Sequence, residues 1–284
     1  MLVGAHTFAW SPGITDAELD WLFPRLEGTA VDFVELASYD LQNLTPQRVT
    51  QVSQRHGLPV TLCSGLPGGL SLASPDAAVR RAAQDHVRRL LEFAQACGAR
   101  KLSGPIHGDL SSLASEPSSP EQRQWLVDSY VALRPDLSAA AIPFSIEPLN
   151  RYQSSLLNTL EQVAELCAAI DLPHVGVLAD LFHANFEQSD LYADLVALRG
   201  RTTHVHLCGA NRGPIGRCHL DWPRLVRWLA TFPPDMMVSI ETFNPDHPLL
   251  ARRTRTWRQL GLDSESIVLD GARWLKDQMG VLPP

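Results

Sequence analysis

The chain has 284 residues, of which 45% are hydrophobic and 19% are charged, a composition typical of a globular α/β protein. Its formal net charge of −7 provides no broad basic surface for a polyanion and therefore disfavours nucleic-acid binding. Because no apolar run reaches the roughly 18 residues of a transmembrane helix and the N-terminus lacks a secretion-signal pattern, we expect a cytoplasmic protein with no membrane partner.

Eight short apolar segments, each followed by an amphipathic stretch, are predicted to be β-strands. In chain order they lie near residues 2–8, 31–36, 59–64, 100–105, 142–147, 174–180, 203–208 and 236–241. Alternation of strands with helices predicts a parallel sheet whose crossovers are covered by helices. Eight such units indicate a closed (β/α)8 TIM barrel, an architecture of roughly 250 residues.

Several helix boundaries are marked by capping residues. Ser74, followed by proline and an acid, predicts a helix start, and Gly98 predicts the end of that helix. Thr159 and Gln162 have the spacing of a capping box, and Asp221 precedes a helix with one apolar stripe. These helices fill the intervals between the predicted strands.

The organisation of the chain indicates one domain in a reduced state. We find no solenoid repeat, low-complexity tract or linker, and therefore predict a single domain over 1–284 with a polar loop at 110–120. The five cysteines are odd in number and form no CxxC pair, which argues against disulfides or a thiolate zinc site. We interpret most of them as small buried residues; they are Cys63, Cys97, Cys167, Cys208 and Cys218.

Four ionisable side chains fall at the ends of the last four predicted strands. Period-2 alternation places Glu147 and Glu241 on the face opposite their apolar neighbours, and Asp180 and His206 follow the same pattern. Because the active sites of such barrels form at the carboxyl ends of the strands, we expect these four side chains to meet at the mouth.

Three adjacent carboxylates repel one another, and a divalent cation resolves that repulsion. Oxygen-rich ligation with one imidazole suits Mn²⁺, Mg²⁺ or Co²⁺, whereas Zn²⁺ is possible but less favoured. His204 lies one layer deeper than His206 and is interpreted as a hydrogen-bonded core histidine. His183 follows Asp180 at i+3 and is expected to reach the same mouth.

Four segments of the sequence resemble the ketose 3-epimerases of the D-tagatose 3-epimerase and D-psicose 3-epimerase type, within the xylose isomerase-like barrel superfamily. These segments are SIEPLNRYQSSLLNT at 145–159, HVGVLADLFHANFE at 174–187, HVHLCGANRGPIGRCHLDW at 204–222 and VSIETF at 238–243. The resemblance is specific in the C-terminal half and looser in the N-terminal half, where VDFVELA and GLPGGLSLASPDAAVRR carry it.

The resemblance implies that one divalent ion, usually Mn²⁺ or Co²⁺, is bound by Glu147, Asp180, His206 and Glu241. It also implies that Glu147 and Glu241 act as the acid and the base. By the same match, His183 and Arg212 hold substrate oxygens and Phe243 packs beside the sugar. Family habit further suggests a homodimer or a homotetramer.

Two positions depart from the family pattern and bear on the choice of substrate. The family usually has an acid where this chain has Gln153, which replaces an acceptor by a neutral amide. The loop after strand four, from Pro105 to Pro120, contains His107 but no tryptophan that could pack against the sugar. Both changes are explained by a remote member of the group, or by one that acts on another sugar or a cyclic polyol.

The chemistry of the four residues leaves several activities open. Proton removal beside a ketone gives an enediolate, which a Lewis-acidic cation stabilises; returning the proton to the other face epimerises the carbon, and returning it to the neighbouring carbon isomerises the sugar. An inosose or keto-inositol dehydratase is an alternative with the same cation. No glycine-rich phosphate loop is found, which favours a free, unphosphorylated sugar.

Two further alternatives belong to other classes of protein. An abasic-site endonuclease of the same superfamily binds three metals, and His107, His183, His219 and Asp221 are the residues that could extend the cluster. The acidic net charge and the capping role of Asp221 oppose this alternative. The second is a non-enzymatic sugar-binding protein, which needs no pair of acids beside a metal.

Overall fold

Eight parallel strands close into a barrel in chain order, so that each strand pairs with its two neighbours in the sequence and the last pairs with the first. The computed structural model describes residues 1–109 and 116–281. The strands are β1 Leu2–His6, β2 Phe33–Ala37, β3 Val60–Cys63, β4 Leu102–Gly104, β5 Phe144–Ile146, β6 Val175–Asp180, β7 Thr202–Leu207 and β8 Met237–Ile240. The predicted (β/α)8 architecture is therefore confirmed.

An outer layer of helices covers the barrel. Within the described residues the helices are α1 Asp16–Leu26, α2 Pro46–His56, α3 Ala77–Ala96, α4 Pro120–Ala140, α5 Leu160–Ile170, α6 Leu181–Glu187, α7 Leu191–Ala197, α8 Trp222–Leu229, α9 Pro248–Thr254 and α10 Ser264–Val281, and a 3-10 turn spans Thr7–Ala9. None of them combines the length and apolar character needed to cross a bilayer.

The predicted caps are confirmed at two of the three helices. Thr159 forms the expected capping box with Gln162 at the start of α5, and Asp221 Oδ1 accepts from the Arg224 N–H at the start of α8. At α3 the prediction of Ser74 is wrong, because the Asp76 carboxylate accepts from the Ala78 N–H and is the actual cap. The Ser74 hydroxyl instead accepts a hydrogen bond from the Asp76 N–H and stabilises the turn before the helix.

The polar loop predicted at 110–120 lies partly outside the described residues. Residues 116–119 precede α4 as irregular chain, and Ser119 caps that helix with Gln122 in a capping box. Of the five cysteines, four are buried and Cys218 is half-buried, and all five are free thiols, as the sequence predicted.

The interior of the barrel changes from apolar to polar along its axis. Near the amino ends of the strands, the Phe33 ring occupies the space that a side chain at position 4 would need, which explains Gly4. One layer higher, inward positions carry polar groups, among them Glu35, Ser103 and His204. Because the apolar residues of the strands face the helices, these polar side chains lead directly to the carboxyl-end mouth.

Candidate metal centre and active site

The four side chains predicted to meet at the barrel mouth do come together. Asp180 ends β6 and His206 lies in β7 directly opposite it, while Glu147 and Glu241 follow the last residues of β5 and β8. Each of the four offers a ligand atom, these atoms all lie within 4.8 Å of one another, and all four residues are buried. Three carboxylates and one imidazole at this spacing match the donor set of a single divalent cation.

Asp180 has two functions at once. Its Oδ1 accepts hydrogen bonds from the N–H groups of Phe182 and His183, at 2.7 and 3.1 Å, and so caps α6. Its Oδ2 faces the mouth and accepts from Arg212 at 2.7 Å. Burial by itself raises the pKa of this carboxyl, but the Arg212 guanidinium overcomes that effect and holds the pKa of Asp180 well below its usual range.

The guanidinium of Arg212 bridges two of the candidate ligands. Its Nη1 donates to Asp180 Oδ2 at 2.7 Å and to Glu241 Oε2 at 2.9 Å. Its carbon Cζ lies 4.5 Å from the Phe182 ring and 4.9 Å from the Phe243 ring, an arrangement that adds cation–π attraction. The resemblance implied a substrate-holding arginine, and the structure shows that its cation also balances the carboxylate charge of the centre.

The backbone of Arg212 is held in an uncommon conformation. Its φ of +65° lies in the left-handed region, where a residue with a side chain is strained. The Thr242 hydroxyl donates to the Arg212 carbonyl at 2.7 Å and fixes this geometry. Such strain is characteristic of functional loops, because the surrounding structure has to maintain it.

A buried residue that was missed from the sequence, Glu35, orients His206. The Glu35 carboxylate lies 3.1 Å from His206 Nε2 and 3.1 Å from His204 Nε2, and it accepts from the Ser103 hydroxyl at 2.7 Å. A carboxylate only accepts, so the contact with His206 places a proton on its Nε2, while His204 also lies 3.0 Å from the Met237 carbonyl through its Nδ1. This confirms His204 as a hydrogen-bonded core residue. An acid inside the otherwise apolar VDFVELA strand is the signal that could have indicated Glu35.

The orientation of His206 fits a metal ligand. With Nε2 donating to Glu35, its Nδ1 faces Glu241 Oε2 at 3.0 Å and Asp180 Oδ2 at 3.7 Å, yet it is buried without a hydrogen bond. Burial lowers the pKa of His206, but the nearby Glu35 and Glu241 carboxylates raise it well above its ordinary value. A carboxylate behind a metal-binding imidazole is a recurrent arrangement that fixes the tautomer.

The two glutamates lie in environments that shift their pKa values in opposite directions. Burial, together with the charges of Asp180 and Glu241, raises the pKa of Glu147 well above its ordinary value. Burial also raises that of Glu241, but Arg212 and His6 outweigh it, so the net shift is downward. Two carboxyl groups with separated pKa values at one site are suited to act as an acid and a base.

His183 presents its Nε2 atom to the cavity. Its Nδ1 lies 3.1 Å from the backbone N–H of Asn150, which donates to it. Nε2 lies 3.8 Å from Glu147 Oε1 and 3.2 Å from Arg212 Nη2. Burial is the main cause that lowers the pKa of His183 to about 4, which keeps the ring neutral. A neutral imidazole at this position suits a hydrogen bond to a substrate hydroxyl.

These groups surround a cavity of about 410 Å³, within the range of about 300–1,000 Å³ typical of small-molecule sites. The predicted residues in its lining are Glu147, Gln153, His183, Arg212, Glu241 and Phe243. Sequence reasoning missed two aromatic residues of the same wall as Phe243: the Phe8 ring lies 5.8 Å from the Phe243 ring and 6.1 Å from the Tyr39 ring, measured between centroids. Aromatic walls with a polar floor are suited to a sugar, which has apolar C–H faces and a polar rim.

The residues proposed for a multi-metal centre do not join the cluster. His107 is buried and its Nε2 donates to the Glu147 carbonyl, His219 lies near Asn185 Oδ1, and Asp221 caps α8. Among the described residues, none of these three belongs to a group with metal-ligand spacing. The geometry therefore favours one cation at the mouth over three.

Comparison with known proteins places these features in context. A family model described as the xylose isomerase-like TIM barrel matches residues 25–278. The chain is 30% identical to a probable ketose 3-epimerase of a Synechocystis species, over 96% of this chain and 95% of the relative. It is 25% identical to a ketose 3-epimerase of Arthrobacter globiformis, over 98% of this chain and 97% of the relative. Among solved structures, a D-allulose 3-epimerase from a Methylomonas species in complex with D-allulose superposes with a TM-score of 0.90 at 21% identity, covering 98% of this chain and 97% of that one.

Proposed function

Because the chain belongs to the xylose isomerase-like TIM barrel family, we propose that it is a ketose 3-epimerase, an isomerase that inverts the configuration at C3 of a ketose. The observation that carries the proposal is the pair Glu147 and Glu241, two buried carboxyl groups that converge at the barrel mouth and both line the cavity. Sugars such as the D-allulose bound by the structural neighbour are the first substrates to test.

The glutamate pair provides both proton transfers of an epimerisation. One carboxylate removes the C3 proton from one face of the sugar, and the other carboxyl group delivers a proton to the opposite face. After one turnover the two groups have exchanged protonation states, so the same pair also catalyses the reverse reaction. The cycle requires that one of the two carboxyl groups is protonated when the other is ionised.

The neighbouring residues bind and orient the sugar. His183 Nε2 and the guanidinium of Arg212 are placed to hydrogen-bond oxygens near the reacting carbon. Phe8, Tyr39 and Phe243 pack against the C–H face of the sugar and exclude water. Gln153 hydrogen-bonds a sugar hydroxyl near this wall. Holding the C3–H bond between the two glutamates reduces the entropic part of the barrier.

We assign the binding of one divalent cation to Glu147, Asp180, His206 and Glu241, with Mn²⁺ preferred over Co²⁺, Mg²⁺ and Zn²⁺. The unpaired Nδ1 of His206 and the three converging carboxylates support this assignment. When bound, the cation supplies Lewis-acid polarisation of the carbonyl beside C3.

Proton exchange monitored by NMR tests the proposal. In D₂O with Mn²⁺, the enzyme is expected to incorporate deuterium at C3 of a ketose during epimerisation, whereas incorporation at C1 indicates isomerisation instead. Release of a conjugated ultraviolet chromophore indicates dehydration. Unchanged sugar after long incubation, with no exchange at any carbon, contradicts catalysis altogether and favours a sugar-binding protein.

Two variants separate the roles of the glutamates. Glu147→Gln and Glu241→Gln are each expected to lower epimerisation by about 10²–10⁴-fold. In each variant the remaining glutamate can still remove and return the C3 proton on its own face of the sugar. Each variant should therefore exchange the C3 proton of one epimer with solvent without inverting it, and the two variants should act on opposite epimers. Glu92→Gln on the exposed surface of α3 is the matched control. Metal content is measured in parallel, because both glutamates are also assigned as ligands.

The setting of the enzyme is part of the same proposal. Five free cysteines suit a reducing compartment, which supports a cytoplasmic location. A homodimer or homotetramer is proposed from the resemblance to the family, and light scattering coupled to size-exclusion chromatography measures it directly.

A further inference from the structure

Three arginines line the outer part of the active-site cavity. Arg252 and Arg253 lie in α9 and Arg255 follows it, and all three are exposed. The carboxylates of the described lining residues, Glu147 and Glu241, belong to the metal centre, where Arg212 and His206 already balance them. The mouth is therefore positively charged, although the whole chain carries a net charge of −7.

The charges of the three arginines are not balanced by the protein. In the described part of the chain, no carboxylate lies within 4.0 Å of any of these guanidinium groups. The Arg253 guanidinium lies 5.9 Å from the Tyr39 ring, a residue of the same cavity wall. Arg255 donates only to the backbone carbonyl of Arg253, at 3.1 Å.

The backbone geometry at Arg255 places its side chain at the end of α9. Arg255 has a φ of +57°, in the left-handed region that often ends a helix. Ala141 and Asp171 end α4 and α5 in the same conformation. The turn at the end of α9 therefore holds Arg255 beside Arg252 and Arg253 at the cavity wall.

We propose that the outer arginines bind an anionic group, a phosphate ester or a carboxylate, at the end of the ketose farthest from C3. This inference rests on the proposed function, since it takes the inner site to hold the reacting carbons. It extends the substrate class beyond the unphosphorylated sugar expected from the sequence. That expectation depended on the lack of a glycine-rich phosphate loop, and guanidinium groups recognise phosphate and carboxylate without one.

The test compares three ketoses that share the same reacting carbons: D-fructose, D-fructose 6-phosphate and D-fructuronate. We expect kcat/KM for C3 deuterium exchange to be roughly tenfold higher or more for at least one anionic ketose than for D-fructose, the size expected of two or three partly exposed ion pairs. The two anionic substrates distinguish a phosphate site from a carboxylate site. The advantage should shrink when ionic strength rises from about 0.02 to about 0.5 M.

Substitutions assign the effect to these arginines. In a triple variant, Arg252→Gln, Arg253→Gln and Arg255→Gln, the ratio of kcat/KM for the anionic ketose to that for D-fructose should fall to about one. Replacing the three by lysine should restore part of the ratio, because the positive charge returns. Arg258→Gln, on the same segment but outside the cavity lining, is the matched control and should keep the wild-type ratio.

A binding measurement without turnover completes the test. Glucitol 6-phosphate has no carbonyl and cannot react. Calorimetry should show that it binds wild-type enzyme about tenfold more tightly than glucitol does, and the triple glutamine variant should lose this difference. Equal or faster exchange of D-fructose than of both anionic ketoses overturns the anion site and leaves the proposed function intact. No exchange with any of the three overturns both.

Discussion

Replacing Glu35 by glutamine tests how the barrel interior supports the metal centre. The carboxylate is fully buried, accepts from Ser103 at 2.7 Å and lies 3.1 Å from the Nε2 atoms of His204 and His206. Glutamine has nearly the same shape, but its amide NH₂ group cannot accept from the Ser103 hydroxyl or from the His206 Nε2–H, which contact different carboxylate oxygens. One of these two donors therefore loses its acceptor, and the negative charge is lost.

The size of the effect follows from these contacts. A hydrogen bond to a charged group contributes about 1.5–3 kcal/mol, so the loss of one acceptor destabilises the fold by at least that amount. Loss of the buried charge raises the expected cost toward the roughly 3–5 kcal/mol of breaking a buried ion pair. Burial raises the pKa of Glu35, but His204 and His206 lower it well below its ordinary value. Its contribution is thus complete at pH 7 and is lost as the pH falls through the folded pKa.

The same substitution should weaken metal binding, because His206 loses the partner that fixes its tautomer. Removing such a partner typically costs about 10–100-fold in metal affinity. Urea denaturation of the metal-free protein measures the first effect, and calorimetric titration with Mn²⁺ measures the second. Ser103→Ala removes one neutral donor and is the matched control, with an expected loss of about 1 kcal/mol and little change in affinity. An unfolding free energy within about 1 kcal/mol of wild type together with an unchanged Mn²⁺ affinity would refute the role of Glu35.

Three further predictions concern individual positions. Burial lowers the pKa of His107 to about 4 from about 6.5 in the unfolded chain, so the free energy of unfolding rises by about 3 kcal/mol as the pH rises across that window. In urea denaturation, the stability advantage of wild type over His107→Asn should therefore be about 3 kcal/mol smaller at pH 4 than at pH 7. An advantage that does not change with pH contradicts this prediction. Arg212→Lys keeps the charge but not the planar group that contacts Asp180 and Glu241, so kcat/KM for epimerisation should fall by about tenfold or more, and an unchanged value excludes a geometric role. Gly104 has a φ of +123°, and a Cβ atom there would meet the Ser64 carbonyl, so Gly104→Ala should lower the free energy of unfolding by at least about 1–3 kcal/mol. Gly200→Ala is the control, because a Cβ atom at position 200 has no neighbour within 4 Å. Equal urea midpoints for the two variants contradict the strain argument.

Local periodicity in the sequence was enough to predict the fold and the four candidate ligands. A strand alternates its side chains whatever surrounds it, so the inward direction of Glu147, His206 and Glu241 follows from their apolar neighbours alone. The alternation of strands and helices predicted a parallel barrel, and the carboxyl ends of parallel strands necessarily meet at one mouth. Caps that depend on side chains a few residues apart, such as Thr159 with Gln162, were predictable for the same reason.

Contacts between distant parts of the chain depended on closure of the barrel. Glu35 and His206 are 171 positions apart, and only the cylinder brings the interior of β2 against β7. The cavity wall of Arg252, Arg253 and Arg255 likewise depends on where the segment after β8 folds over the mouth. A short-range pattern specifies the direction of a side chain relative to its own backbone, whereas its partner is specified by packing of the whole chain. The sequence by itself therefore determined which residues point into the barrel, and the tertiary structure decided what each of them meets there.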